Sequence, residues 1–475
     1  QESHIHPLDT TIIILFLSAM TGFGLWQARL NRTTEDYFLA SKTIPWVVAM
    51  GSIVATETSV LTFVSIPGFA YRDNWFFLQL AFGFIVGRIL VSFILLPSFF
   101  EKGVQSIYEI IGDRFGSGLQ KIASGVFLFT RVLADGVRFL ATAVIVQAIT
   151  GWSITTAVLI IGIITLSYTL LGGIRTIVWL DTFQFFLYLA GAMISIVFIL
   201  NAMEIGFGQM ISDLFSAGKM NILRWGEGNP FMNAWAFPSA FFGGTLLSFA
   251  SHGSDYMMVQ RVLGCRSLQD ARKAMIGSGF FVFFQFSLFL LVGSMLFQYL
   301  EGIELTKDRE FAVFITQHLP IGLKGILLAG VLSAAMSTLS SSINSLASST
   351  MTDWLKKQSL NLAKQVSFGW AIVLVGMAVL FDESDTALVE LGLQVASFTY
   401  GGLLGLFLLS KFNTKIHPAS AIIGLIGSLA IVLYLKTTGI GWTWFIGFAV
   451  ITNLVLAFLS HFIIKKMNLN KNYHA

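Results

Sequence analysis

The chain holds 475 residues, 55% of them hydrophobic and 11% charged, with a formal net charge of +4. Soluble chains carry roughly 25% charged residues, so this one lacks the charge to cover a surface in water and must be solvated by lipid. At about 20 residues per bilayer crossing the length accommodates a dozen or more spanning helices. An aqueous enzyme, a secreted scaffold and a nucleic-acid binder are excluded as whole-chain readings. With one cysteine, Cys265, the chain has no intramolecular disulfide.

The opening residues, Gln1 to Asp9, hold no Lys or Arg, and the apolar stretch behind them reads as a retained helix, not a signal peptide. Apolar stretches bounded by charge, Gly or Pro predict about thirteen transmembrane helices, near 8–28, 45–70, 75–98, 118–150, 154–171, 176–200, 233–256, 271–300, 319–352, 362–381, 387–410, 416–435 and 441–465. The second carries Glu57, Thr56, Thr58, Ser59, Thr62 and Ser65 and ends in Pro67-Gly68. A spanning segment so crowded with polar residues reads as a discontinuous helix whose freed carbonyls can hold a cation. The seventh, with Gly243-Gly244, Ser248, Ser251, His252 and Asp255, looks like its counterpart.

These two segments open two sets of five helices, and because five is odd the second set enters the membrane from the opposite side. The chain therefore divides into a flanking helix and cytoplasmic loop (1–44), a first inverted repeat (45–200), an extracellular loop (201–232), a second inverted repeat (233–410), and two C-terminal helices with a tail (411–475). With the N-terminus outside, nineteen of the 29 Lys and Arg fall in cytoplasmic segments and six in outer loops, as the positive-inside bias requires. The C-terminus is then cytoplasmic.

A charge at mid-bilayer costs about 2.5 to 3.5 kcal/mol on insertion scales and so marks a candidate site. The residues concerned are Glu57, Arg88, Arg131, Asp135, Arg138, Asp181 and Asp255, with His252 as a polar addition. On the ninth helix Ser333, Ser337, Ser340, Ser341 and Asn344 form one stripe, with Thr338 on its shoulder. Small residues pack membrane helices closely, but a stripe of this density reads as an ion path of hard oxygen ligands. Asp181, a few residues into the sixth helix, is either its carboxylate or a charge that snorkels at the helix end. Arg131, Asp135 and Arg138 share one face of the fourth helix. They form a self-contained ion-pair ladder, whose excess positive charge Glu57 or a substrate carboxylate could balance. His252 and Asp255 are either a proton relay or hydrogen-bonded fixtures, with Asp255 expected to pair with the nearby Gln260-Arg261 end.

Gly172-Gly173-Ile174-Arg175 leading to Asp181-Thr182-Phe183-Gln184, the Ser-rich ninth helix, Val259-Gln260-Arg261 before Cys265-Arg266-Ser267, and Phe398-Thr399-Tyr400-Gly401-Gly402 resemble the sodium:solute symporter family, across helices two to eleven. The resemblance implies the LeuT-type all-α fold with its 5+5 inverted repeat, and uptake of a small solute coupled to Na+ by alternating access. It implies a first Na+ site from Ala55, Thr58, Ala334, Ser337 and Thr338, and a second from Asp181, Ser340 and Ser341, hence two ions per cycle. Glu57 stands where proline-transporting members have Asp, and could tune the first site or pair with an arginine. Ala81 and Val282 replace a carboxylate and a lysine of sugar-transporting members. Ser59 and Thr62 match hydroxyls that sialic-acid-transporting members direct at a carboxylate.

The expected solute ligands are Ser59, Thr62, Gln79, Arg131, Arg138, Ser248, Ser251, His252, Gln285, Gln394 and Tyr400. The expected solute is an organic anion, sialic-acid-like or another carboxylate. A neutral sugar or polyol, or an uncoupled sodium channel or sensor, is the alternative. Apart from Na+, the solute and the lipid bilayer, no partner is expected; nucleic acid, an obligate protein partner and enzymatic chemistry are not. The expected location is the plasma (inner) membrane.

Overall fold

The computed structural model describes residues 5–307, 309–380, 386–412 and 414–473, and of residues 61, 137, 141, 386–396 and 469–473 the backbone alone. Among the described residues the chain is helical, with a single isolated bridge between Ile44 and Cys265. The long helices are α1 Pro7–Ala28, α2 Trp46–Glu57, α3 Val60–Arg72, α4 Phe77–Lys102, α5 Ser117–Thr150, α6 Ile154–Met203, α7 Phe237–Gly253 and α8 Tyr256–Leu263. They are followed by α9 Leu268–Tyr299, α10 Leu323–Leu355, α11 Leu360–Leu380, α12 Thr386–Leu409, α13 Pro418–Leu435 and α14 Phe445–Tyr473.

Both expected discontinuities are present, and each is made by the same local chemistry. Between α2 and α3 the Thr58 hydroxyl donates back to the Val54 carbonyl (2.9 Å), while Ser59 caps α3 by accepting from the Thr62 N–H (3.3 Å). Between α7 and α8 the Ser254 hydroxyl donates to the Ala250 carbonyl (2.7 Å) and Asp255 caps α8 by accepting from the Met257 N–H (3.0 Å). Side chains that compete with the backbone end one half-helix and start the next. The first break bends the chain by 64°. It lies at Thr58-Ser59 and not at Pro67-Gly68: Pro67 sits inside α3.

α6 consists of two helical halves that meet at Gly173, matching the two helices expected. Its 50 residues exceed the roughly 20 that one bilayer crossing needs, and the chain kinks at Gly173 (φ 63°, ψ −161°). Carbonyls freed there are met from the 29–45 connector. Asn31 Nδ2 donates to Leu171 O (3.1 Å) and Gly172 O (2.7 Å), and the Tyr37 hydroxyl reaches Thr169 O and Leu170 O. A Cβ on Gly173 would lie 2.8 Å from Tyr37.

Among the described residues nine helices are long and apolar enough to cross a bilayer, and α2 with α3 makes a tenth candidate. The expected thirteen is reached only by counting α6 twice and adding α7 with α8, and α12. α10 stands at the centre and is almost wholly buried, packed by α1, α2, α3, α5, α6, α8 and α11. Asp9 of α1 caps its start, accepting from the N–H groups of Gly322 and Gly325, each at 2.8 Å.

Candidate functional site

Asp181, Ser52, Thr56 and Ser337 converge where α6, α2 and α10 meet. The Asp181 carboxylate is buried and accepts from Ser337 Oγ (2.8 Å to Oδ1), Ser52 Oγ (2.8 Å to Oδ2) and Thr56 Oγ1 (3.4 Å to Oδ2). Arg261 Nη2 lies 4.0 Å from Oδ2 and also donates to Ser341, which in turn lies 3.1 Å from Thr56 Oγ1. Ser340 donates to the Ser337 carbonyl at 3.0 Å. Of the expected second set, neither Ser340 nor Ser341 hydrogen-bonds Asp181 among the described residues: Ser340 turns to a backbone carbonyl, Ser341 is reached through Thr56, and Ser337 of the first expected set makes the direct contact. The oxygen-only set of a carboxylate and several hydroxyls suits a hard monovalent cation. Ser52 and Thr56 were missed, although they stand at i and i+4 on the face of α2 that meets the stripe. Arg261, counted among cytoplasmic charges, is fully buried.

The first expected constellation surrounds the break. In a continuous helix the Ser59 N–H would bond Ala55 O; here it turns to Glu57 O (3.1 Å), which frees the Ala55 carbonyl. Thr58 is held from α9 by Gln285, whose Nε2 donates to Thr58 Oγ1 at 2.9 Å. Gln285 therefore braces the backbone at the break. Across from it on α10, Thr338 Oγ1 stays near Ala334 O (3.3 Å) and lines a small cavity with Ser59, Asp135, Arg138, Thr142 and Ala335. The Thr62 hydroxyl lies 3.2 Å from Ser59 Oγ.

The two arginines of α5 part company. Arg131 is buried and paired on three sides: Nη1 to Asp135 Oδ1 (3.2 Å), Nη2 to the Tyr400 hydroxyl (3.2 Å), Nε 3.5 Å from Asp255 Oδ2. Tyr400 donates to Asp255 Oδ2 (2.9 Å), and Ser342 donates to Asp135. Asp255 therefore pairs with Arg131 and Tyr400, not with the Arg261 end that the sequence suggested. Arg138 lies 3.9 Å from Asp135 Oδ1, keeps 23% of its side chain exposed, and borders the cavity.

His252 and Glu57 belong to a third cluster. Glu57, at the end of α2, is paired with Arg88 of α4, and its Oε2 lies 3.5 Å from His252 Nε2. Arg88 Nη1 also donates to Ser278 Oγ (2.9 Å), and Ser251 Oγ lies 2.8 Å from His252 Nδ1. Gln79 points elsewhere, donating to Trp235 O (3.0 Å) and accepting from the Arg224 N–H (2.9 Å). Ser248 donates to Phe84 O (2.9 Å) and so ties α7 to α4. The side chain of Gln394 lies outside the described residues.

The model of the Sodium:solute symporter family matches residues 37–428. The chain is 26% identical over 450 residues to the sodium/sialic acid symporter NanT of Aliivibrio fischeri, covering 90% of this chain and 88% of that one. It is 28% identical over 457 residues to the human sodium/iodide cotransporter, covering 90% and 69%. Among solved structures it shares the fold of a Na+-coupled sialic acid symporter in a substrate-bound outward-open state, with a TM-score of 0.87 at 23% identity over 96% of this chain and 98% of the other.

Proposed function

The chain belongs to the sodium:solute symporter family, and from that premise we propose that it imports a small organic anion together with two sodium ions by alternating access. The observation that carries the anion is Arg138. It is the cation of the α5 ladder that borders the cavity beside the broken helix, next to the hydroxyls of Ser59 and Thr338. Among the described residues its one ion-pair partner, Asp135, is shared with the closer Arg131. A solute carboxylate beside Arg138 gains a charge-assisted hydrogen bond, worth about 1.5 to 3 kcal/mol, and the hydroxyls complete its coordination.

Similarity to transporters named for sialic acid, iodide and monocarboxylate supports an anion. One sodium ion rests on the freed Ala55 carbonyl with Thr58, Ala334, Ser337 and Thr338. The second rests on Asp181 with Ser52, Thr56, Ser340 and Ser341. Ser337 of the first set also donates to the Asp181 carboxylate of the second (2.8 Å), so the two ions are coupled through one side chain. The N-terminus lies outside and the C-terminus inside a plasma membrane, a reading that the Lys and Arg distribution supports.

Uptake by proteoliposomes across a panel of carboxylates, sugars and amino acids, with Na+ or K+ outside, tests the reading. Carboxylate uptake that needs the Na+ gradient is expected. Uptake indifferent to Na+ for every solute would sink the symporter reading, and Na+-driven uptake of neutral solutes alone would sink the anion.

A further inference from the structure

The lower end of α10 holds a buried carboxylate whose surroundings differ from those of the others. Asp353 is fully buried and accepts three hydrogen bonds, from Ser106 Oγ (2.8 Å), Ser349 Oγ (2.6 Å) and Gln120 Nε2 (2.9 Å). All three donors are neutral. Glu57, Asp135, Asp181, Asp255 and Glu310 each have an arginine within 4.0 Å, whereas among the described residues Asp353 has no such cation. Asp9, also without one, sits at the start of α10, where the helix dipole favours a negative charge. Asp353 sits at the opposite end, on the π-turn Thr350–Leu355, where the dipole opposes it. A buried carboxylate with neutral neighbours at a helix C-terminus is under strong pressure to acquire a cation.

Two further observations give that cation a route. Gln120 also lines a solvent-open cavity of about 340 Å³, whose wall includes Glu109 and Asp113 together with Lys356 and Lys357. In the other direction, toward Asp181, the buried groups Ser348, Ser345 and Asn344 continue the polar stripe of α10 up to Ser341, which accepts from the Arg261 guanidinium. Asp353 thus stands between the candidate ion site and an aqueous opening.

We propose that Asp353, with the hydroxyl oxygens of Ser106 and Ser349, is a third cation site, a station at which sodium pauses on its way to the cytoplasm. The proposal rests on the symporter reading above. The three donors turn their protons away when the ion arrives, and the cavity supplies water to complete its shell. The station sets the rate at which sodium leaves without setting the affinity with which it is taken up from outside.

The test is ²²Na+ exchange and solute uptake in proteoliposomes bearing wild type, Asp353→Asn or Ser106→Ala. Asp353→Asn keeps the size and the acceptor oxygen but removes the charge. Exchange about tenfold slower is expected, with the external Na+ dependence and the solute KM within about twofold of wild type and an unchanged melting temperature. Normal exchange, or a parallel loss of exchange, Na+ affinity and thermal stability, would overturn the proposal in favour of a structural carboxylate. Should Asp353→Asn not fold, Ser106→Ala leaves the charge in place and removes one oxygen; severalfold slower exchange is then expected, and a wild-type rate overturns the station. Absence of Na+-coupled uptake in the wild type is a different result, one that fails the symporter reading itself.

Discussion

Arg131 and Arg138, seven residues apart on one face of α5, differ in what their loss leaves behind. Removing Arg131 strands Asp135 and Asp255 in a low-dielectric interior, and breaking a buried pair in that way costs about 3 to 5 kcal/mol. Arg131→Gln is expected to lower thermal stability sharply, and Asp135→Asn in the same chain to restore part of it. Arg138→Gln is expected to leave the melting temperature close to wild type while raising the KM for an anionic solute by tenfold or more. A normal KM would remove Arg138 from the solute site. The α5 ladder could be read from i, i+4 and i+7 spacing because the helix fixes which residues share a face. Its partners could not, since Asp255 and Tyr400 come from distant parts of the chain and spacing carries no information about them. The same division holds at Asp181: the stripe of α10 was visible as a period, while Ser52, Thr56 and Arg261 became its neighbours only through packing.

At the level of elements, the breaks were foreseen from polar crowding and their positions were set by capping. Pro67-Gly68 drew attention because it disrupts helices in general, but the hydroxyls of Thr58 and Ser59 compete for the backbone a few residues earlier. Gly173 separates two helical halves as expected, and Asn31 and Tyr37 satisfy the carbonyls opened at the kink. Gly173→Ala places a side chain at positive φ and against Tyr37. A loss of about 1 to 3 kcal/mol is expected, read as a lower melting temperature; an unchanged one would mean that the bend relaxes freely.

The connector before α2 carries its own test. Thr33 and Asp36 form a capping box at the start of the helix Thr34–Leu39. Burial opposes the charge on Asp36, but donation from Ser41 and from the N–H groups of Arg32 and Thr33 prevails and holds its carboxyl below the ordinary value of 3.8. A lowered acid contributes stability that is complete above the ordinary value and lost as pH falls through the folded one. Amide exchange at Asp36 and Tyr37, corrected for intrinsic rate, should therefore accelerate below pH 3.8 in wild type and show no such step in Asp36→Asn.

For the whole molecule the ledger is one of charge. Two sodium ions with one monovalent anion carry a net positive charge inward, which gains about 2.3 kcal/mol per 100 mV. Uptake of a monocarboxylate should therefore be electrogenic, accelerated by an inside-negative potential, with a reversal potential that fits two ions. Electroneutral uptake of the same solute would mean one ion per cycle and leave Asp181 a structural role. The bend in α6 bears directly on that cycle. Asp181 lies eight residues beyond Gly173 on an unbroken helix, about 12 Å along a rigid arm. A change of about ten degrees at the elbow sweeps the carboxylate through about 2 Å, close to the length of a metal–oxygen bond. The glycine is in this sense a fulcrum: a rotation too small to disturb the packing of the bundle is enough to make or sever the grip on an ion.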